Sequence, residues 1–82
     1  MKFEVAINVM PLKDLLDPQG KAVLGGLANL GINQVEDVRV GKRITLSVEA
    51  GSAEEAKLIA EKAAKQLLAN QVMEFFEISI NA

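Results

Sequence analysis

Residues 2–10 alternate in character. Phe3, Val5, Ile7 and Val9 are apolar; Lys2, Glu4, Ala6 and Asn8 between them are small or polar. A period of two sends successive side chains to opposite faces, so the segment predicts a strand with one dry face, ended by Pro11. The pattern returns at 43–50, with Ile44, Leu46, Val48 and Ala50 on one face and Arg43, Thr45, Ser47 and Glu49 on the other. A third such stretch, 72–80, puts Val72, Phe76, Ile78 and Ile80 on one face with Glu74, and Met73 and Phe75 on the other with Glu77 and Ser79. Strands with a single apolar face must bury it against another layer, which restricts the chain to a layered fold.

Two helical segments can supply that layer. Asp17-Pro18 reads as a helix start, since Asp accepts backbone N–H bonds at an N-cap and Pro fits the first helical position. Val23, Leu27 and Leu30 then share a face, and Gly31 supplies the left-handed residue that stops the helix. The pair Gly25-Gly26 inside it costs roughly 1 kcal/mol per Gly relative to Ala. It predicts a close neighbour at that turn, most simply a sheet packed under the helix. The second helix covers 53–69. Ser52 and Glu55 make a capping box, and Ala56, Ala60, Ala63 and Leu67 line its inner face with Ile59 beside them. Lys57–Glu61 and Glu61–Lys65 are i,i+4 pairs on its wet face, and Asn70 is placed to end it in the left-handed conformation. A further strand is expected at 35–40. Gly41-Lys42 after it carries the leading glycine of a type II′ hairpin into 43–50.

The resulting order is βαββαβ. It predicts an α+β two-layer sandwich, ferredoxin-like in order, with an antiparallel sheet and both helices on one face. Eighty-two residues hold one core, so 1–82 is expected to be a single domain. Half of those residues are apolar and the mean hydropathy is +0.21, more than a lone domain of this size hides. One face of the sheet also lacks a covering layer. A homodimer or higher oligomer, dimerising through the sheet, is therefore expected, with Met73 and Phe75 as candidate contacts.

The chain contains no Cys, His, Tyr or Trp. That removes disulfides, thiol nucleophiles, thiolate metal sites and the commonest general base. Net charge −2 argues against a nucleic-acid partner. The longest charge-free run, Ala22 to Val35, is too short to span a membrane and is broken by glycines. No apolar signal core follows Met1-Lys2, so a cytoplasmic location is expected. Gly20 and Gly25 have the outer spacing of a phosphate-binding loop, but Gly26-Leu27 stands where Lys-Ser/Thr is required. The carboxylates form no acid–base pair: Glu74 and Glu77 point to opposite faces of a strand, Glu36 and Asp37 diverge, and Glu54 and Glu55 suit a helix start. Arg39, Lys42 and Arg43 cluster at the expected hairpin tip, either as a solvated basic turn or as a docking point for an acidic partner or phosphate. The strands lack the aromatics on which RNA-recognition motifs stack bases. Residues 10–17 lack the Arg with which an acylphosphatase holds phosphate. A stand-alone regulatory module of the ACT type, binding a small effector, remains open.

Several short motifs occur in a fixed order: Asp17-Pro18-Gln19-Gly20, Leu30-Gly31, Val38-Arg39-Val40-Gly41-Lys42, Leu67-Leu68-Ala69-Asn70 and Val72-Met73-Glu74. On these the chain resembles the PurS family, the small subunit of bacterial and archaeal phosphoribosylformylglycinamidine synthase, over about residues 2 to 80. Gln71 stands where the family usually has Pro, and Phe76 where it often has Tyr. The resemblance implies membership of an ATP- and glutamine-dependent amidotransferase complex of purine biosynthesis. In that complex a large subunit uses ATP and Mg2+ to activate the substrate amide, and a glutaminase subunit releases ammonia from glutamine with a Cys nucleophile. The small subunit is a dimer that bridges the two and aids ammonia transfer. It has no catalytic residues and binds no cofactor, metal, nucleic acid or membrane. On this reading Asp17, Pro18 and Gly20 fix the start of the first helix and its approach to a neighbour. Arg39, Gly41 and Lys42 form a rigid charged hairpin for docking, and Met73 and Phe75 make the homodimer contact.

Overall fold

The computed structural model describes residues 1–81; Ala82, expected to belong to the same domain, lies outside them. The alternating segment at the N-terminus becomes β1 (Lys2–Pro11), the central strand of a three-stranded antiparallel sheet ordered β2-β1-β3. β2 (Lys42–Glu49) pairs with it from Lys2↔Glu49 to Val9↔Lys42. β3 (Glu74–Asn81) pairs from Glu4↔Asn81 to Pro11↔Glu74. Between the strands lie α1 (Pro18–Asn29) and α2 (Ala53–Ala63), the latter prolonged by a π-helical turn over Ala64–Leu68.

α2 crosses the apolar face of all three strands. Val5, Ile7 and Val9 of β1 are fully buried beneath it, and so are Ala56, Ala60 and Ala64 on the helix. Burying a Val or Ile side chain is worth about 1.5–3 kcal/mol, so this one strand anchors the core. The alanine stripe lets the helix sit close to the sheet. Ser52 caps α2 by accepting the Glu55 N–H at 3.2 Å, and the Glu55 carboxylate accepts the Gly51 N–H at 3.2 Å. The box is thus completed one residue further out than its usual form.

The α+β class, the antiparallel sheet and the helical layer are as expected, but several local features differ. Residues 35–40 form no strand, and Gly41 makes no hairpin turn. Among the described residues only Gly31, at the end of α1, has a positive φ (+83°). The reason lies in the line of the chain. Gly41 lies against the Val9 carbonyl and Met10, where a Cβ would overlap both. The Arg39 guanidinium reaches the carbonyls of Pro11 and Leu12. Residues 39–41 therefore run on alongside the end of β1, in line with β2, instead of folding back on it.

α1 stands away from the sheet, so only one helix, not both, covers the face. It packs against no strand to any extent comparable with α2. Nothing lies within 4 Å of a Cβ built on Gly25 or Gly26, so the expected close neighbour is missing from this chain. Val23 and Leu30 are exposed, with Leu24 and Leu27 half-buried.

The end of α2 also departs from expectation. Ala69 N–H bonds to the Ala64 carbonyl at 2.9 Å, closing the wider turn, and Ala69 itself is extended. The inserted residue turns Leu67 outward, to 83% exposure, while Leu68 and Ala69 face in. Asn70 is not left-handed. Val72 sits in the turn before β3 and is exposed. The i,i+4 pairs on α2 are not closed; among the described residues the one ion pair joins the Met1 amine to Glu49 at 3.1 Å.

The uncovered face of the sheet is polar. Ser47 donates to Glu4 and Arg43 to Asn8, each at 3.2 Å, and Ala6 is buried on the central strand between Thr45 and Ser79. That face carries little of the apolar surplus, with Phe75 at its edge. The apolar surplus lies instead on α1 and its flanks, at Leu16, Val23, Leu30 and Ile32, and around α2 at Leu58, Leu67 and Val72.

Candidate functional site

Several of the residues singled out by sequence, Asp17, Pro18, Gly20 and Arg39 among them, converge where β1 ends and α1 begins. Asp17 is buried and caps α1, accepting the Gly20 N–H at 3.1 Å through Oδ1. Its Oδ2 accepts the Val40 N–H at 2.8 Å, from a residue far along the chain. One carboxylate thus ties the start of the helix to the segment that leads into β2. These bonds, first that from Val40 and then that from Gly20, hold its pKa below the ordinary carboxylate value; the Arg39 charge adds to them and burial opposes them.

Arg39 works beside it. Its Nη2 donates to the carbonyls of Leu12 at 2.6 Å and Pro11 at 3.2 Å, and its Nη1 to that of Leu15 at 3.3 Å. The connection from Pro11 to Leu16 has few backbone bonds of its own: Leu12 N–H to the Met73 carbonyl, and Leu15 N–H to that of Leu12. The guanidinium supplies the donors that this loop lacks. Arg39 is therefore turned inward. Lys42, at the start of β2, is exposed. Gly20 is buried against the Val38 carbonyl, where any Cβ would collide.

A groove of about 370 Å³ opens beside this clamp, between Leu16 and Pro18 on one side and Asn70, Met73 and Glu74 on the other, floored by Pro11 and Val40. Asp17, Pro18 and Met73 thus meet at one place. Phe75 does not line the groove; it lies on β3, on the polar side of the sheet, at 36% exposure. Gly41 packs on β1. Leu16 and Val40 were not singled out by sequence, and no local pattern marks them: each joins the groove through the fold of its loop. The Asn70–Glu74 turn is closed by Asn70 N–H to the Glu74 carboxylate at 2.8 Å and Glu74 N–H to the Asn70 carbonyl at 2.7 Å. Its i,i+4 spacing was the available signal.

This arrangement is built to hold its own backbone in place. The carboxylate with the lowered pKa is occupied by backbone donors and is a poor base. Among the described residues no three Asp or Glu gather as a metal site. The glycines with phosphate-loop spacing lie within α1, not in a loop. No helix among the described residues is long and apolar enough to cross a membrane. What the groove offers is apolar, open surface on a rigid frame, suited to an apolar side chain of a partner.

Comparison with known proteins gives a consistent result. Residues 4–82 match the family model described as PurS: Phosphoribosylformylglycinamidine (FGAM) synthase. The chain is 36% identical over 78 residues to the phosphoribosylformylglycinamidine synthase subunit PurS of Bacillus subtilis, covering 95% of this chain and 92% of that protein. It is 40% identical over 74 residues to the same subunit of Mycobacterium leprae, covering 89% of each. Among solved structures, a chain of the PurLQS structure from Thermotoga maritima superposes with a TM-score of 0.91 at 34% identity, covering 99% of both chains. PurS of B. subtilis superposes at 0.87 with 32% identity, covering 98% of this chain and 99% of that one.

Proposed function

From the premise that the chain belongs to the PurS family, we propose that it is the non-catalytic small subunit of a phosphoribosylformylglycinamidine synthase complex of purine biosynthesis. It bridges the large synthetase and the glutaminase subunit and helps ammonia pass between them in the cytoplasm. The observation that carries this reading is the end-to-end likeness to a chain of the PurLQS structure. The chemistry of the groove supports it: apolar surface on a hydrogen-bonded frame, with its one low-pKa carboxylate engaged by backbone donors. On the family resemblance, ATP and Mg2+ are used by the large subunit of the complex.

Within this reading the groove edge at Leu16, Pro18 and Met73, with Phe75 on the neighbouring strand, contacts a partner subunit, and the exposed Lys42 adds charge for docking. Asp17, Gly20, Arg39 and Gly41 act indirectly, by holding that surface in shape. The test is glutamine-dependent amidotransfer by the purified large and glutaminase subunits, with and without this chain. Activity and co-migration are expected only when it is present. If the other two subunits assemble and transfer ammonia equally well alone, the reading fails. Lys42→Glu and Phe75→Glu are expected to weaken co-migration while leaving the circular dichroism of the isolated chain unchanged.

A further inference from the structure

We propose that the Asp17–Pro18 peptide bond is a latent self-cleavage site. The folded chain keeps the bond intact by occupying both oxygens of the Asp17 carboxylate, and loss of the fold frees that carboxylate to cut the chain. The site does not depend on the synthase reading.

The chemistry follows from two adjacent residues. A carboxyl oxygen of Asp17 can close a five-membered ring onto the carbon of its own main-chain carbonyl, so attack needs no group from elsewhere. Attack joins that oxygen to the carbonyl carbon as a cyclic anhydride. The bond from the same carbon to the Pro18 nitrogen breaks, and its electron pair stays on nitrogen. The carboxyl proton passes to that nitrogen, which leaves as the secondary amine of a new N-terminus. One water then opens the anhydride to two carboxyl groups, so the sum of the steps is hydrolysis. Proline favours the cut because its tertiary amide nitrogen takes a proton more readily than an ordinary peptide nitrogen. Asp14 precedes Leu15 and Asp37 precedes Val38, so Asp17 alone has a proline after it. The other proline, Pro11, follows Met10, which has no carboxyl group.

The fold opposes each part of this step. Oδ1 accepts the Gly20 N–H at 3.1 Å and Oδ2 the Val40 N–H at 2.8 Å. Both bonds are lost when the carboxyl group swings onto its own carbonyl. That carbonyl accepts the Lys21 N–H at 3.0 Å, so the carbon under attack is fixed in the first turn of α1. The side chain has little room to turn: Asp17 is buried, and its Oδ2 lies 2.7 Å from where a Cβ on Gly20 would stand. The bond to Gly20 is local and can survive in an open chain, whereas the bond to Val40 exists only in the tertiary structure. The guard is therefore the fold and not the local sequence.

The place of the bond gives the cut its effect. It lies after β1 and before every element that β1 pairs with. A cut chain has lost the covalent link between the central strand and the rest of the sheet, and rejoining the two pieces becomes a bimolecular event. Unfolded copies are thereby retired, while folded copies keep the bond.

The test is mass spectrometry of the full-length chain held in a urea series at about pH 4, or at the lowest pH above it at which the circular dichroism without urea is native. Fragments 1–17 and 18–82 are expected, with masses that sum to the chain plus one water. Their rate of appearance should follow the unfolded fraction read by circular dichroism. With two hydrogen bonds to the carboxylate to break, the folded chain should be cut at least about tenfold more slowly than the unfolded chain. A rate indifferent to the unfolding transition, a first cut at another bond, or no cut in urea overturns the proposal. Asp17→Ala and Pro18→Ala are assayed in the same urea, where folding plays no part. Each is expected to abolish the cut after residue 17, and its survival in either overturns the proposal. Once cut, the chain is expected not to regain native circular dichroism on dilution of the urea, at a concentration at which the intact chain does. Full recovery overturns the retirement of unfolded copies by the cut.

Discussion

Asp17 carries two bonds that lie on different levels of the structure. The bond to Gly20 is local and legible, because Asp followed by Pro is a helix-start signal. The bond to Val40 joins residues far apart in sequence, and no spacing announces it. Arg39 was legible as a charge but not as a brace, because its three acceptors are main-chain carbonyls that look alike in any sequence. Asp17→Ala removes the cap and leaves two backbone donors without acceptors. Its expected cost is a fall in Tm of at least about 4–8 °C, the value of one cap in a domain of this size, read by thermal unfolding. The pH dependence has a definite sign. The Asp17 pKa is lowered in the folded chain, so its contribution is complete above the unfolded value of about 3.9. It is lost as acid carries the pH down through the folded value. Wild-type Tm minus that of Asp17→Ala should therefore shrink below about pH 4, and a difference unchanged by acid counts against this role.

β1, β2 and α2 were readable because local propensity and burial agree. Their alternation or helical stripe matches the face that ends up dry. Residues 35–40 have the residue types of a strand, and what they lack within the chain is an edge to pair with. Propensity can be read from residues; the availability of an edge cannot. The end of α2 shows the same limit. An α-helical period puts Leu67 inward, but the π turn adds a residue and turns it out. Two substitutions check this assignment by denaturant unfolding. Leu67→Ser, at an exposed position, should change stability by no more than about 0.5 kcal/mol. Ile7→Ala, at the fully buried centre of β1, should cost about 2–5 kcal/mol. Comparable losses at both positions would place Leu67 in the core after all.

At the scale of the molecule, the surplus of apolar residues is legible in the sequence, while the faces it occupies emerge only from the fold: the bare side of the sheet is polar, and the surplus sits on α1 and its flanks and around α2. If copies of the chain associate through this surplus, stability includes an association term. The Tm of the isolated chain should then fall on about a hundredfold dilution, whereas a concentration-independent Tm fits a self-sufficient monomer. The position of β1 has a separate consequence. The strand at the centre of the sheet comes first in the chain, and both of its partners lie far downstream. Its register with β2 closes one edge and its register with β3 the other, so the sheet is complete only when both distant segments have returned to it. Contacts of such long sequence separation fold slowly. Until β2, α2 and β3 are all in place, Val5, Ile7 and Val9 lack the layers that bury them, so the dry core closes last and all at once.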